Sequence, residues 1–292
     1  MFSEAYEIAS KFTHPLIVIV RFFDGSVDCI LGAFTILNDK GWAVTVAHLF
    51  EPFFAYKQHK DEIDNYNEQF KAIHDDQHLD TQKRRKRKSH LKTNPKWITN
   101  ISYWWGKDGV RYSEVRAMPE GDIAIVHLEP FDPYSISQYP VIKNPNNLKP
   151  GTSLCKLGFP FHQVKASFDE KTNNFSLEPG ALPVPRFPIE GIYTRNVIAG
   201  KSKDNKYDIK FIETSSPGLR GQSGGPIFDV KGIIWGIQSK TTSLPLGFNP
   251  KVVKNGREYE ENQFLNVGWG IHPELLTAFL TDQGIEFRLS ED

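Results

Sequence analysis

The segment with the clearest chemical potential is residues 221–226, which read GQSGGP and hold Ser223 among small residues. Glycines beside a serine let the backbone turn sharply and let a substrate carbonyl approach closely. The amides of Gly221 and Ser223 can then converge on a developing oxyanion, an interaction worth about 3–4 kcal/mol per donor. Because a serine hydroxyl is a weak nucleophile at its ordinary pKa, the segment predicts a histidine partner that acts as its base.

Among the nine histidines, His48 is the strongest candidate for this base. It follows the apolar run 42–47 (WAVTVA), so its titratable ring lies at the end of a predicted buried strand. Taken alone, such a ring is more often a structural histidine than a catalytic one. His127, within a second apolar run, is interpreted as structural.

Asp122 is the candidate for a third residue, since it opens the apolar run 123–128 (IAIVHL). A carboxylate at the start of a buried strand is costly unless it has a partner. A histidine N–H would satisfy it and would also fix the tautomer of the ring. The three motifs together predict a catalytic triad of His48, Asp122 and Ser223, whereas each alone has a structural explanation.

Composition narrows the class of protein that carries these residues. The 292 residues are 39% hydrophobic and hold 35 basic and 35 acidic side chains, so the formal net charge is zero. That balance argues against a whole-surface nucleic-acid binder. No run of eighteen apolar residues is present, so no membrane-spanning helix is expected. Neither a metal nor an organic cofactor is expected.

The N-terminus and the cysteines bear on the compartment. Residues 1–11 include Glu4 and Glu7 and lack a basic start followed by an apolar stretch, so we expect no signal peptide. Cys29 and Cys155 are the only cysteines, which excludes a disulfide framework, and both are predicted to be core residues. We therefore expect a cytoplasmic protein.

Short apolar, β-branched runs separated by turn residues predict an all-β sandwich or barrel system. Residues 38–41 (NDKG) connect two such runs as a hairpin would. The runs are 15–23, 29–37, 42–47, 122–128, 153–159, 191–198, 210–213, 226–228 and 232–239. One helix is predicted near the C-terminus, over residues 273–283, with Gly284 as its stop signal.

Residues 52–100 interrupt the β pattern and predict a helical, charge-segregated insertion. Bulky residues recur at spacings of three and four from Tyr56 to Ile73, which indicates a narrow helical stripe. Residues 83–88 read KRRKRK. Three interpretations remain open: a surface helix docked on the barrel with a solvated basic loop, a helix that docks a partner, or a basic contact for an acidic or nucleic-acid partner.

The three motifs resemble the catalytic blocks of trypsin-like serine proteases. Residues 45–48 (TVAH), 121–124 (GDIA) and 221–226 (GQSGGP) match them in the order histidine, aspartate, serine. The chain is most similar to protease domains of the bacterial HtrA (Deg) type. Residues 148–152, 157–161, 191–193, 211–214 and 268–273 resemble further segments of that family. The resemblance covers about residues 12–50 and 100–287.

The resemblance implies two six-stranded antiparallel β-barrels, a chymotrypsin-like fold, with the active site in the cleft between them. We expect one protease domain over residues 1–292, with the first barrel at 12–140, the second at 141–270, and a C-terminal helix and tail at 271–292. The insertion at 52–100 belongs to the first barrel. The resemblance also implies an oxyanion hole at Gly221 and Ser223.

The family pattern places the substrate pocket around residues 214–219 and 237–240. The residues expected to bind substrate are Thr214, Pro217, Gly218, Ile237, Gln238 and Ser239. Trypsin-like pockets hold an aspartate six residues before the serine, where this chain has Pro217. A preference for Lys or Arg is therefore not expected, and an uncharged side chain is favoured, although Arg220 and Lys240 are compatible with an acidic one.

The position before the serine also departs from enzymes that mature by cleavage. Those enzymes pair an aspartate there with a new N-terminus, whereas this chain has Gln222. Restraint by a partner is therefore expected, through a regulatory protein at residues 52–100. Because the insertion begins beside His48, we hypothesise that it covers or gates the cleft.

The resulting prediction is a serine endopeptidase that hydrolyses protein or peptide substrates through an acyl-enzyme, in a bacterial defence or regulatory role. Two other classes stay open: a catalytically silent protease-fold scaffold, and a protein that contacts nucleic acid through 83–88. A nucleic-acid partner is not favoured. An esterase would use the same triad.

Overall fold

The first half of the molecule is a curled, six-stranded antiparallel sheet. The computed structural model describes residues 1–291, apart from the side chain of Lys254. The strands are β1 (Thr13–Phe22), β2 (Val27–Ile36), β3 (Trp42–Thr45), β4 (Ile98–Trp104), β5 (Arg111–Met118) and β6 (Ile123–Glu129). Their order is β4-β1-β2-β3-β6-β5. The predicted 38–41 hairpin joins β2 to β3, and Leu37 N donates to Trp42 O at 2.7 Å.

The second half is a larger sheet in which six antiparallel strands close a barrel. The strands of this sheet are β7 (Val141–Ile142), β8 (Ser153–Gly158), β11 (Phe187–Lys201), β12 (Asp208–Thr214), β13 (Pro226–Phe228), β14 (Ile234–Pro245), β17 (Phe264–Ile271) and β18 (Arg288–Leu289). The barrel runs β13-β8-β11-β12-β17-β14, and β14 pairs with β13 to close it. The short strands β7 and β18 add to its edge in parallel register.

Two small hairpins project from the second half. They are formed by β9 (Ala166–Asp169) with β10 (Asn174–Leu177), and by β15 (Lys251–Lys254) with β16 (Arg257–Glu260). Neither was predicted, because their sequences are polar and their residues are largely exposed. The predicted all-β fold of two six-stranded units with a helical insertion and a C-terminal helix is confirmed.

Helices cover the outside of the two barrels. They are α1 (Ser3–Phe12), α2 (Glu51–Asp75), α3 (Thr81–Ser89) and α4 (Pro273–Asp282). The predicted C-terminal helix is α4, whose apolar side chains are buried and whose end is followed by Gly284 at φ +69°. Helix α1 was not predicted, although Ala5, Ala9 and Phe12 share one buried face. No helix within residues 1–291 has the length and apolar character needed to cross a bilayer.

The insertion docks on the first barrel through the predicted stripe of α2. Tyr66 packs against Phe23 and Trp97, with ring centroids 5.6 and 6.2 Å apart. His59 Nδ1 accepts a hydrogen bond from Ile98 N at 2.9 Å, which ties α2 to the start of β4. The first of the three interpretations therefore describes α2 correctly.

The basic run is helical, so the predicted solvated loop is wrong. Residues 83–88 lie within α3, which Asp80 caps by accepting from Lys83 N at 2.7 Å. Lysine and arginine are good helix formers, and a helix spreads their charges around its axis. The Lys88 ammonium lies 3.9 Å from the Phe70 ring centroid, so α3 packs back onto the end of α2.

The serine segment is seated directly on the first barrel. Ala33 N on β2 donates to Ser223 O at 2.8 Å, and the Thr45 hydroxyl donates to Ala33 O at 2.7 Å. Gly224 has φ +86°, and a Cβ atom there would lie 2.0 Å from Ala33 O. Only glycine therefore lets the segment approach β2 so closely.

Gly224→Ala is expected to lower the free energy of unfolding by about 3 kcal/mol, because its Cβ meets the backbone oxygen of Ala33 and the Thr45 hydroxyl that is bonded to it. Gly247→Ala is the matched control: its φ is +79° but a Cβ there meets open space. Its expected cost is about 1 kcal/mol, from the left-handed backbone alone. Urea unfolding measures both, and equal costs would contradict this account of the barrel contact.

Candidate active site

His48 and Asp122 form a close pair at the cleft between the barrels. His48 lies in a 3-10 turn (Ala47–Phe50) directly after β3, and Asp122 lies directly before β6. His48 Nδ1 is 3.0 and 3.1 Å from the two carboxylate oxygens of Asp122. His48 N also donates to Asp122 Oδ1 at 3.0 Å, so one carboxylate orients both the backbone and the ring of His48.

The backbone of Asp122 has the left-handed conformation, with φ +51°. Aspartate tolerates this region better than most residues, although it still costs energy relative to an ordinary turn. The strained turn directs the carboxylate back towards β3, and Asp122 O accepts from Ala47 N at 3.2 Å. The conformation and the pairing therefore support each other.

The pKa of His48 reflects two opposing influences. Burial lowers it, but the hydrogen bond and charge of the Asp122 carboxylate raise it, with a smaller contribution from Glu51. The net shift is upward from the ordinary value of 6.5. The Asp122 carboxylate thus stabilises the imidazolium that a base forms when it takes up a proton.

Ser223 and Ser239 complete the cluster from the second barrel. Ser239 Oγ donates to Asp122 Oδ2 at 2.6 Å, so this predicted substrate-binding residue supports the carboxylate from β14. Ser223 Oγ donates to Ser239 O at 3.4 Å. Within residues 1–291 no hydrogen bond joins Ser223 Oγ to His48, and such contacts often tighten only when substrate is present. The structure brings all three predicted triad residues into one cluster.

The loop before the serine presents two backbone amides. Neither Gly221 N nor Ser223 N donates to another group in the described part of the chain. Gly221 has φ +93°, and a Cβ atom there would lie 2.4 Å from Phe159 O. Gly221 O accepts from Phe159 N at 2.8 Å, so the carbonyl is held away while the amide stays available.

Gln222 holds this loop from within. Its side chain is fully buried, and its Oε1 accepts from Leu219 N at 3.0 Å. Its Nε2 donates to Phe187 O at 3.4 Å. The loop is thus stabilised by an uncharged side chain, without an ion pair to a chain terminus.

A pocket of about 250 Å³ opens beside Ser223. Its walls come from the serine loop and from β14: Gly218, Leu219, Arg220, Ser223, Gln238, Ser239, Lys240 and Thr241. Three of the predicted substrate-binding residues therefore line it. Ile237 does not, because its side chain is fully buried in the core. Thr214 and Pro217 lie behind the wall, where both accept hydrogen bonds from Lys156 Nζ.

Lys156 and Thr241 are the residues at this pocket that sequence reasoning missed. Thr241 Oγ1 donates to Gly218 O at 2.6 Å and joins the two walls. Lys156 is 1% exposed although its side chain ends in a polar, titratable amine. A lysine within the apolar run 153–159 was the available signal, since a buried strand has no ordinary place for it.

A second pocket of about 620 Å³ lies on the other side of Arg220 and Gly221. Cys29 and Phe161 line it. Cys29 is only partly buried, so its prediction as a core residue is wrong, whereas Cys155 is buried as predicted. Burial raises the pKa of the Cys29 thiol to about 11, so it is not a nucleophile near neutral pH.

The insertion contacts the side of the first barrel. The hydrogen bonds and ring contacts of α2 with the barrel involve Phe23, Trp97 and Ile98. Among the described residues none of these contacts reaches Ser223 or the pocket beside it. The covering of the cleft by the insertion stays a hypothesis.

Comparison with known proteins identifies the family. The trypsin-like peptidase domain matches residues 32–237, well over half of the chain, so the chain belongs to that family. It is a trypsin-like serine protease, as the sequence resemblance predicts. No curated protein sequence matches the chain.

Two solved structures illustrate the similarity. The active form of the Rv3671c protease from M. tuberculosis has a TM-score of 0.49 and 11% sequence identity, over 98% of this chain and 86% of that one. The HtrA-type protease AlgW with a tripeptide has a TM-score of 0.48 and 15% identity, over 98% of this chain and 64% of AlgW.

The rate of peptide hydrolysis is expected to depend on the His48–Asp122 pair. In the wild type, kcat/KM should rise with pH through a midpoint above 6.5, because the base must be neutral and its pKa is raised. Asp122→Asn removes the stabilising charge, so the midpoint should move to lower pH while the plateau falls by about 10³-fold or more.

Asp132→Asn is the control for this pH profile, since Asp132 caps a turn after β6 by accepting from Tyr134 N and Asn can do the same. Its profile should match the wild type. A midpoint that stays in place or rises in Asp122→Asn would contradict the assigned pairing.

Proposed function

We propose that this serine protease cleaves peptide bonds through an acyl-enzyme, with Ser223 as nucleophile, His48 as general base and Asp122 as the residue that orients His48. The observation that carries the proposal is the His48 Nδ1–Asp122 contact at 3.0 Å. Because a carboxylate can only accept, this contact favours a ring proton on Nδ1, with Nε2 as the basic nitrogen. Nε2 has no protein partner among the described residues. Ser223 comes from the second barrel and is linked to Asp122 through Ser239.

The reaction follows from these positions. Ser223 Oγ attacks the peptide carbonyl carbon as its proton passes to His48 Nε2, and the carbonyl oxygen becomes an oxyanion. The amides of Gly221 and Ser223 donate to that oxygen. The C–N bond then breaks as His48 gives its proton to the leaving amine, which leaves an ester on Ser223. Water, deprotonated by His48, hydrolyses the ester and restores the hydroxyl.

Substrate is proposed to lie as an extended strand along β14, with one side chain in the pocket beside Ser223. Gly218, Gln238 and Ser239 would contact that side chain, and Thr214 and Pro217 would support the wall. Ile237 would contribute only from the core. Protein or peptide chains suit this mode, because an extended backbone can pair with an exposed strand segment.

The chain is proposed to act as one protease domain with barrels at 12–140 and 141–270 and a C-terminal segment at 271–292. A cytoplasmic location is proposed because both cysteines are free thiols, as in reducing compartments. A regulatory or defence role would restrain cleavage through a partner. The insertion at 52–100 is the proposed regulatory surface.

Two features of the insertion support partner control. Helix α2 begins at Glu51, three residues after His48, so a partner that binds and shifts the helix would act close to the base. A groove of about 620 Å³ lies between α2 and α3 and is lined by Ile73, Lys83, Lys86, Arg87 and His90. Its charge suits an acidic peptide segment of a partner protein.

Labelling by a fluorophosphonate tests the proposed chemistry directly. The wild type should form an adduct at Ser223, whereas Ser223→Ala and His48→Ala should form none, because the adduct needs both the nucleophile and its base. Ser216→Ala is the matched serine control, and it should label as the wild type does. Mass spectrometry locates the adduct. A folded wild type that does not label at Ser223 would favour the scaffold function.

The proposed partner surface predicts that Lys83→Gln, Lys86→Gln and Arg87→Gln together weaken binding of a labelled polyaspartate peptide by at least about tenfold. The control neutralises Lys57, Lys60 and Lys71 on α2, which removes the same charge outside the groove. Fluorescence anisotropy measures both. Equal loss in the two variants would contradict the groove assignment, and tighter binding of single-stranded DNA than of polyaspartate would favour the nucleic-acid alternative.

A further inference from the structure

A lysine side chain is buried behind the wall of the substrate pocket. Lys156 lies on β8 and is 1% exposed. Its Nζ donates to Thr214 Oγ1 at 3.0 Å, to Ser216 O at 2.5 Å and to Pro217 O at 2.8 Å. All three donors of the ammonium group are used, so its position is well defined.

This ammonium group has no carboxylate partner. Within residues 1–291 no ion pair involves Lys156, and its three acceptors are a hydroxyl and two carbonyls. Burial lowers the pKa of Lys156 to about 7. A buried cation held only by dipoles is costly unless a negative charge joins it. A negative charge in the adjoining pocket would offset this cost without a direct hydrogen bond to Nζ.

The ammonium and the pocket share one wall. Pro217 accepts from Lys156, and the next residue, Gly218, lines the pocket. Gly268, on β17 beside the pocket strand β14, leaves the space that the lysine head fills, since a Cβ atom there would lie 2.8 Å from Nζ. The absence of a side chain at Gly268 therefore makes space for the Lys156 amine behind this wall.

Gln238 forms the adjoining part of the pocket. It is 1% exposed, and its Nε2 donates to Lys240 O and Trp269 O at 3.1 and 3.2 Å. A Cβ atom at Gly218 would lie 2.2 Å from Nε2, so the carboxamide packs against the wall that Lys156 supports. Gln238 Oε1 is buried without a partner. The part of the pocket that Gln238 forms is therefore polar and uncharged, and the Lys156 side chain lies behind the adjoining wall.

Two further cationic side chains, Arg220 and Lys240, line the pocket. Arg220 lines the mouth and has no ion-pair partner in the described part of the chain. The Lys240 ammonium lies over the rings of Phe211 and Trp269. The carboxylates on neighbouring strands have partners of their own: Glu213 pairs with Arg195, Asp122 with His48, and Glu190 accepts from Ser153 Oγ. The thiol of Cys155 is neutral because burial raises its pKa to about 11.

We propose that this pocket accepts an acidic side chain, aspartate or glutamate, from the substrate residue that donates the cleaved carbonyl, and that Lys156 determines this preference. The proposal rests on the proposed peptidase function and adds its substrate class. The pocket volume of about 250 Å³ suits a side chain of this size. Arg220 contributes at the mouth, where solvent weakens its effect.

The preference has a defined pH dependence. An acidic side chain in the pocket stabilises the protonated form of Lys156 and raises its pKa, so binding of such a substrate takes up a proton. Below the free-enzyme pKa of about 7 the lysine is already charged, and selection should be strongest there. As the pH rises past that value, the preference for an acid over its amide should decline.

The experiment measures kcat/KM for one peptide series that differs only in the residue before the scissile bond: Glu, Gln, Asp, Asn, Leu and Lys. For the wild type at pH 6 we expect a Glu-to-Gln ratio of at least about ten, since a buried charge acts through a low-dielectric interior. In Lys156→Met the ratio should fall to about one, because Glu loses its advantage over Gln. The wild-type ratio alone tests the selectivity, without any variant.

Two control variants separate the buried charge from other effects. Lys143→Met replaces a second buried lysine, which lies beside Trp235, and it should keep the wild-type ratio. Arg220→Gln should lower the ratio in low salt but leave it nearly unchanged in 0.5 M salt, because exposed charges are screened and buried ones are not.

The outcomes distinguish this inference from the peptidase proposal. A wild-type ratio near or below one, or an unchanged ratio in folded Lys156→Met, overturns the role of Lys156. Cleavage after Leu or Lys with no cleavage after Glu overturns the acidic preference and leaves the peptidase intact. If no peptide is cleaved and Ser223 is not labelled by a fluorophosphonate, the peptidase proposal fails and this inference fails with it.

Discussion

The carboxylate of Asp122 is the point at which the two halves of the molecule meet. It accepts from the backbone and ring of His48, at the end of β3, and from the hydroxyl of Ser239 on β14. Its own backbone adopts the left-handed conformation directly before β6. One partly buried carboxylate therefore links three strands from two sheets. The serine loop reaches the same place through the contact of Ser223 O with β2.

The arrangement explains why the site can form without a liberated N-terminus. Three contacts hold the loop at 219–225: the hydrogen bonds of the Gln222 side chain, the hydrogen bond from Phe159 N to Gly221 O, and the close packing of Gly224 against β2. These are neutral contacts made within a folded chain. The base and the amides that would stabilise an oxyanion are therefore organised by packing, and a partner is left to act on access or on the position of His48.

Much of this could be predicted from sequence because the signals are local. The predicted run 226–228 is strand β13, with the same bounds. The order of the three motifs in the sequence also indicated the cluster of His48, Asp122 and Ser223. Strands β4 and β5 were not predicted, because each mixes polar and apolar residues and is largely half-buried. Neither therefore shows an apolar run in the sequence. Helix α3 was not predicted, because six consecutive basic residues suggest a solvated loop. Their helix propensity and the Asp80 cap favour a helix instead.

The pocket was harder to predict, since its character depends on contacts between distant segments. Thr214 and Pro217 were expected to face substrate, but they turn their oxygens to Lys156, which is about sixty residues away in the chain. Nothing in a window around Lys156 reveals that acceptors from β12 and the following loop surround it. A lysine in an apolar strand departs from the pattern of buried apolar residues. Only the fold shows which groups accept its hydrogen bonds.

That exception has an energetic meaning. A buried ammonium without a carboxylate lowers the stability of the fold, and replacing it with an apolar side chain of similar size is often neutral or stabilising. Here the cost falls at the wall of a pocket beside the nucleophile, where Gly268 keeps space for the charge and three oxygens hold it in place. Under the proposed preference, an anion that enters the pocket offsets a cost that the empty protein bears. The buried amine then lies where a substrate can compensate for its burial.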